Sequence, residues 1–480
     1  MIMQLSSYRY VYIALFAFIA QFIVLDIYYL DDLFRAYSGP FGWRGDGRAL
    51  GGFFYKVLLN FQRPLADIYP LPLLVAGGFF GYVIARLLQS LRIIHPVAQI
   101  VVTLLFVASP FALGNWFFRY DSAFMLLSVA FAILPFCYLD ASKIRWFLLS
   151  VGFLVCALMT YQVALNIFIG LTGLYLFKYA LEKTSLKSLV QFLGLSIAIV
   201  IVAYLVYSQV ILRIMPTHGY AANFREAAGT ESFLHVVMGN GIKVYEQLRL
   251  LFKSGFYLPW GLGIVLSLYA VITYSWKSRH LSLIVVYFVA LLAVLFAIGG
   301  VMLVSPNAPI ISRTLLGLIA ALLFPVLILY WLRATRQFYF VACYLCLSLL
   351  VIDRAAINAA ASEVREQSQM AAQIMTETSL HQITDIEKLF VLGQPRISNV
   401  AKVNIQAYPV VQAVLPRSFA DGYDGGRYLM MFHNFPAFEY VNDTEKSAIE
   451  AQLGEHTTIA NNYLYQLYYV DKVLVIQFKP

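Results

Sequence analysis

The chain has 480 residues, of which 61% are hydrophobic and only 12% charged, with 33 Tyr and 37 Phe. Long apolar runs on this scale exclude a soluble fold and place it among polytopic α-helical membrane proteins. The formal charge of +9 is uneven: residues 1–352 hold 24 Lys+Arg against 11 Asp+Glu, and residues 353–480 hold 10 against 14. That asymmetry suits basic cytoplasmic loops followed by a water-exposed domain, and gives no sign of a nucleic-acid partner.

In chain order, windows long enough to cross about 30 Å of hydrocarbon fall near residues 9–29, 68–92, 94–112, 121–139, 145–160, 163–181, 187–212, 256–276, 280–304, 311–332 and 337–352. These predict an all-α membrane part of about eleven helices over residues 1–352. The first run lacks a small-residue cleavage site and is read as a retained helix. The break at Thr160-Tyr161-Gln162 leaves two short halves, so a re-entrant pair competes with two spans there. The four cysteines, Cys137, Cys156, Cys343 and Cys346, all lie in apolar runs and offer neither a disulfide framework nor a metal ligand set, so no metal or cofactor is expected.

With the N-terminus in the cytoplasm, twelve Lys and Arg fall in short inner loops and twelve outside, mostly in two long loops where the rule weakens. Density then puts two long loops, 30–67 and 213–255, and the C-terminal domain on the outer side. The first contains Leu30 to Lys56, which packs Asp31, Asp32, Arg35, Arg44, Asp46, Arg48 and Lys56 together. Charges beside a bilayer are costly unless they meet water, lipid phosphate or substrate, so this stretch is the candidate active site.

Between the third and fourth windows, GNWFFRYD offers Asn115, Arg119 and Asp121, with Trp116, Phe117 and Phe118 read as an interfacial belt. The second long loop carries His218, Tyr220, Asn223 and Arg225, then an amphipathic run from Phe233 to Phe252 with Lys243, Arg249 and Lys253, suited to lying flat on the membrane. A third outer turn, Ser305 to Arg313, ends in Arg313 at the head of a span. From Asp353 an Ala- and Glu-rich helix leads to EKLFVLG, NVAKVNIQAYPVV, RYLMMFHNF, a helix around Thr444 to Leu453, and YLYQLYYVDKVLVIQF. Alternating segments interleaved with helices predict a small α/β domain over 353–480.

Asp31 and Asp32 are neighbours, so at most one can reach into a cavity. Asp32, three before Arg35, is preferred as the reactive one, with Asp31 left open; on a helix Arg35 can pair with either. An ordinary solvated helix end would also account for these groups, but not for the further charges that follow. Outward Arg44, Arg48, Lys56 and Arg63 suit phosphate, because the guanidinium fork matches its oxygens; general attraction to anionic headgroups is the plainer reading. A lone loop histidine such as His218 is most simply an exposed polar group. No Gly-rich phosphate loop, HExxH or Ser/His/Asp set stands out.

One span, then an outer DDxxR stretch, an aromatic, the Gly47-Arg48 pair and a Pro-rich second span resemble the serotype-converting O-antigen glucosyltransferases (Gtr type) of bacterial inner membranes. The likeness covers the first 100 residues best and the C-terminal domain hardly at all. More distantly the chain is similar to GT-C glycosyltransferases. The resemblance implies a multi-pass inner-membrane enzyme that moves a hexosyl group from a polyprenyl-phosphate sugar donor to a lipid-linked polysaccharide acceptor on the periplasmic face. It implies Asp31 or Asp32 as base, Arg44, Arg48 and Arg313 on donor phosphate, and no obligatory metal; the residues themselves add Arg35 to the phosphate set and offer Lys56, Arg119, Asp121, His218 and Tyr220 as further candidate substrate contacts. A polar-lipid transporter or flippase would also want outward arginines, but the spans hold few interior charges and no repeat. An O-antigen polymerase or ligase shares the basic outer loops.

Overall fold

The computed structural model describes residues 8–218, 233–419, 425–436, 439–453 and 458–479. Helices α1 (Arg9–Leu25), α2 (Asp32–Ser38), α3 (Ala49–Leu58), α4 (Leu71–Ser90) and α5 (Pro96–Val107) open the chain. They are followed by α6 (Leu113–Trp116), α7 (Ser122–Ile133), α8 (Lys143–Leu158), α9 (Leu165–Leu181) and α10 (Leu186–Val206). The second half contains α11 (Phe233–Leu251), α12 (Tyr257–Ser278), α13 (Ser282–Gly299), α14 (Leu318–Trp331) and α15 (Thr335–Leu380).

Among the described residues six helices are long and apolar enough to cross a membrane: Leu71–Ser90, Gln162–Leu181, Leu186–Ile214, Phe233–Ser278, Ser282–Val304 and Thr335–Leu380. Four further windows hold shorter apolar helices, Arg9–Leu25, Pro96–Val107, Ser122–Cys137 and Leu318–Trp331. Exposed apolar stripes at helical spacing, Ile197, Ile201 and Tyr204 on α10 and Val285, Val289, Leu292 and Phe296 on α13, are what hydrocarbon requires of an outer helix face. Helix α9 is the opposite case, buried all round. A Cβ at its Gly170 would fall on Ala320, so only glycine lets α9 and α14 approach this closely.

Pro325 sits inside α14, where it has no N–H for the carbonyl of Ala321. The Trp260 indole donates to that carbonyl at 3.0 Å from α12, so the freed acceptor is satisfied within the bundle. Helix α15 runs without a break through residues 352 and 353, a rod about 69 Å long at 1.5 Å per residue. Its first half buries Phe338, Val341, Leu345 and Leu349 in the bundle, and its second half puts Met370, Ala371 and Ile374 into the core of the C-terminal unit.

That unit holds a mixed five-stranded sheet of order β2-β1-β5-β4-β3, with β1 (Lys388–Leu392), β2 (Glu439–Tyr440), β3 (Thr458–Asn461), β4 (Tyr465–Val470) and β5 (Val473–Phe478). β1 runs parallel to both β2 and β5, whereas β4 pairs antiparallel with β3 and β5. The β4–β5 hairpin turns through Asp471 and Lys472, both at positive φ as a two-residue hairpin loop demands. Two segments read as alternating are instead helical. NVAKVNIQA forms α16 (Asn399–Ala407), whose start is fixed by the Ser398 hydroxyl accepting from the Ala401 N–H. RYLMMF lies in α17 (Gly425–Phe432), which buries Leu429 and Met430. The last helix, α18 (Asp443–Gln452), begins with an Asn442/Glu445 capping box.

Candidate active site

The charged stretch is built on a turn. Asp26 ends α1 and Leu30 follows, both with positive φ, and the chain then enters α2 with Asp31 at its N-cap and Asp32 in its first turn. The two aspartates diverge completely. Asp32 is fully buried, and its carboxylate accepts backbone N–H groups from Tyr29 at 3.0 Å, Arg119 at 2.7 Å and Tyr120 at 3.2 Å. Burial pushes this carboxyl up to about 8 although three N–H donors favour its anion. Asp31 is exposed and stands within electrostatic reach of Arg313, Tyr29 and Asp46.

Arg35 pairs with neither of them. It is buried, lies 4.4 Å over the Trp43 ring and reaches Asp121 at 3.5 Å. Asp121 is the hub of the floor: it also accepts the Trp43 indole N–H at 2.8 Å and pairs with Arg48 at 3.6 Å. Arg48 in turn stacks on Tyr161, 5.0 Å from its centroid. Three candidates from separate parts of the sequence, Arg35, Arg48 and Asp121, are thus one network around a buried carboxylate. Arg44 on the same turn is exposed, and Lys56 is half-buried with its amine 6.0 Å from the Phe41 ring.

The turn that carries these groups is clasped from behind. Gln162 donates to the Asp46 carbonyl at 3.0 Å and to the Tyr207 hydroxyl at 2.9 Å, and Tyr207 donates to the Gly47 carbonyl at 3.0 Å. Gly47 has φ +75°, and a Cβ there would stand 2.5 Å from the Tyr207 oxygen. No other residue fits, which gives the Gly-Arg pair a physical reason. The Asp46 carboxyl above it is pushed up by burial and pulled back by Arg48.

Arg119 sits apart from the hub. Its guanidinium bonds Asp67 at 2.6 Å, pairs with Asp26, and lies 4.6 Å over both Tyr28 and Tyr69. The aromatic run before it is no interfacial belt: Trp116, Phe117 and Phe118 are buried, packing on Phe18, Phe22 and Tyr29. Apolarity alone does not separate a lipid-facing ring from a core one. Phe118 carries Arg313, whose guanidinium lies 4.8 Å over its ring. Among the described residues no carboxylate oxygen comes within the 4.0 Å of an ion pair with Arg313.

His218 is brought to the site through its main chain, its N–H donating to the Gly45 carbonyl at 3.0 Å, while its imidazole is exposed. Tyr220, Asn223 and Arg225 lie outside the described residues. Among the described residues no group of three or more His, Cys, Asp or Glu could hold a metal ion.

Sequence reasoning missed Tyr29, Tyr161, Gln162 and Tyr207, which hold the site from neighbouring segments. It also missed the C-terminal unit's share. Tyr29 donates to the Val414 carbonyl at 2.9 Å and Ser312 to the Ala413 carbonyl at 3.1 Å, so the segment before Leu415 walls the site beside Arg313. Leu33 of α2 lies in the core of the C-terminal unit, and Phe34 and Tyr28 pack on Tyr428 and Phe432 of α17.

The model of a family described as glucosyl transferase GtrII matches residues 20–330. A protein of Salmonella phage P22, described as an uncharacterized 55.3 kDa protein in the gtrB 5' region, is 26% identical over 262 residues, which are 53% of this chain and 54% of that protein. The chain thus spans about half the length of the curated relative it matches. No solved structure matches it.

Proposed function

The chain belongs to the GtrII glucosyl transferase family, and from that premise we propose that it moves a glucosyl residue from a polyprenyl-phosphate donor to lipid-linked O-antigen or a related surface polysaccharide. The reaction takes place on the periplasmic face of a bacterial inner membrane. Residues 1–352 form a GT-C-like transmembrane catalytic part of about eleven spans with a cytoplasmic N-terminus, and residues 353–480 form a periplasmic domain.

One observation supports the chemistry most. An exposed carboxylate, Asp31, stands within electrostatic reach of Arg313, a guanidinium with no ion pair among the described residues. An acceptor hydroxyl gives its proton to Asp31 as its oxygen attacks the anomeric carbon. The bond from that carbon to the phosphate oxygen breaks, the electron pair stays on phosphate, and the configuration inverts. Arg313, stacked on Phe118 and free to fork, meets the charge that develops there, with exposed Arg44 at the rim. Arg48, Arg35 and Asp121 hold the floor through their mutual pairing. Asp32, enclosed by three N–H groups, fixes the geometry rather than taking the proton.

The test is transfer itself. Purified protein in lipid, given polyprenyl-phosphate [14C]glucose and lipid-linked polysaccharide, should yield labelled polysaccharide without ATP. Movement of labelled donor across the bilayer with no glycosidic product would establish a transporter instead.

A further inference from the structure

Helix α11 presents three different faces. Val236, Asn240, Val244 and Leu251 are buried against the protein. Leu234, Met238, Ile242 and Tyr245, at i, i+4, i+8 and i+11, are between 58% and 70% exposed. His235, Lys243, Glu246 and the following Lys253 are exposed on a third side. At 3.6 residues per turn these faces lie on the order of 120° apart. Contact with protein, hydrocarbon and water at once is the condition of a helix lying in the plane of a membrane surface; a spanning helix has no use for the third face. Gly255, at φ 82° and ψ −1°, breaks the helix before α12 and lets α11 leave the direction of that span. Lys243, Arg249 and Lys253 outnumber Glu246, which favours anionic headgroups.

This helix is bolted to the site. Asn240 is 2% exposed, and its amide reaches the carbonyls of Met302 at 3.1 Å, Leu303 at 3.2 Å and Ser305 at 2.8 Å. Those carbonyls lie just before and at the start of the turn that ends in Arg313. Just beyond α11, Ser254 accepts the Val410 N–H at 3.0 Å, on the segment that walls the same site.

We propose that α11 docks on anionic lipid headgroups and that Asn240 transmits this docking to the turn carrying Arg313, so that the lipid surface sets how well the donor phosphate is held. The last clause rests on the reading of Arg313 given above; the docking and the coupling do not.

The test uses the full chain in nanodiscs of phosphatidylcholine with or without phosphatidylglycerol. In a cysteine-free background, an environment-sensitive fluorophore on Ile242→Cys should report an apolar setting, and a water-like emission in both lipids overturns the docking. Amide hydrogen exchange across residues 300–313 should be slower with phosphatidylglycerol, a difference that Asn240→Ala abolishes. Equal exchange in both lipids for the native chain overturns the coupling. Donor KM should be lower with phosphatidylglycerol by roughly fivefold or more, an ordinary allosteric coupling, with kcat little changed. Lipid-dependent exchange with a lipid-independent KM leaves docking and coupling standing and removes Arg313 from donor binding.

Discussion

The main-chain N–H of Arg119 lies 2.7 Å from the carboxylate of Asp32, 87 residues earlier in the chain. With the Tyr29 and Tyr120 N–H groups it encloses that carboxylate and draws the α2 turn onto the loop before α7. Asp31, one residue away on the N-cap, is thereby turned outward. Two adjacent identical side chains thereby occupy different settings, one fully buried among three backbone donors and the other exposed.

Asparagine at each position separates the two roles. Asp31→Asn should reduce transfer by roughly a hundred- to ten-thousand-fold with an unchanged melting temperature. Asp32→Asn turns an amide donor toward three N–H groups and leaves at least one without an acceptor, a loss of about 1–3 kcal/mol visible as a lower melting temperature. Wild-type turnover by the Asp31 variant would remove it as the base.

The Asp32 carboxyl also predicts a pH dependence. The native protein keeps its proton to about pH 8, whereas the unfolded chain releases it near 3.8. This group's contribution to stability is complete below the lower value and is lost as pH rises through the higher one. Asp32→Asn lacks that titration, so the gap in melting temperature between variant and native protein should narrow from about pH 5 to about pH 9. A constant gap would mean that the carboxyl titrates alike in both states.

Arg313 tests the phosphate reading. Ala should raise donor KM strongly and slow transfer, and Lys should rescue little, because an ammonium lacks the fork and stacks less well on Phe118. Full activity of Arg313→Lys would reduce the residue to a point charge. Arg48→Ala should differ in kind by also lowering stability, since it deprives buried Asp121 of a partner.

At Gly47 the expectation is steric. Gly47→Ala places a methyl 2.5 Å from the Tyr207 hydroxyl at a φ of +75°, so the turn bearing Arg44, Asp46 and Arg48 must shift. Activity should fall well below that of Tyr207→Phe, which removes the hydroxyl's bonds to Gln162 and Gly47 but adds no bulk to the turn; the reverse ranking in a transfer assay refutes the steric account.

Sidedness is open to direct labelling. A cysteine at Asn399, at the start of α16, should react with membrane-impermeant maleimide in cells whose outer membrane is permeabilised. Protection there would place the C-terminal unit, and the site against it, in the cytoplasm.

The sequence made the charge cluster legible because seven charged residues in one short stretch of an apolar chain stand out by composition alone. It could not assign them. Arg35 sits three and four residues from two carboxylates, yet pairs with Asp121 because Trp43 offers its face and its indole N–H at the same place. Trp116, Phe117 and Phe118 have the composition of a lipid belt, and only their packing against α1 and Tyr29 makes them core. In the C-terminal unit the β4–β5 hairpin was readable from its alternation, whereas the α16 segment carries enough apolar residues to suit either period.

Leu33 shares a core with Leu474, Ile476 and Phe478 although Leu474 follows it by 441 residues in the chain. The helix behind the neighbouring carboxylates therefore completes its packing only once β5 has been synthesised, although Phe34 already meets Tyr428 and Asp32 the Arg119 and Tyr120 N–H groups before it. A nascent chain paused just before that strand carries every charged residue of the site and lacks the β5 side of the core in which Leu33 is seated. If the site is the one proposed, a frameshift within Val473–Phe478 should lower transfer by removing the strand side of the core that seats Leu33 on α2.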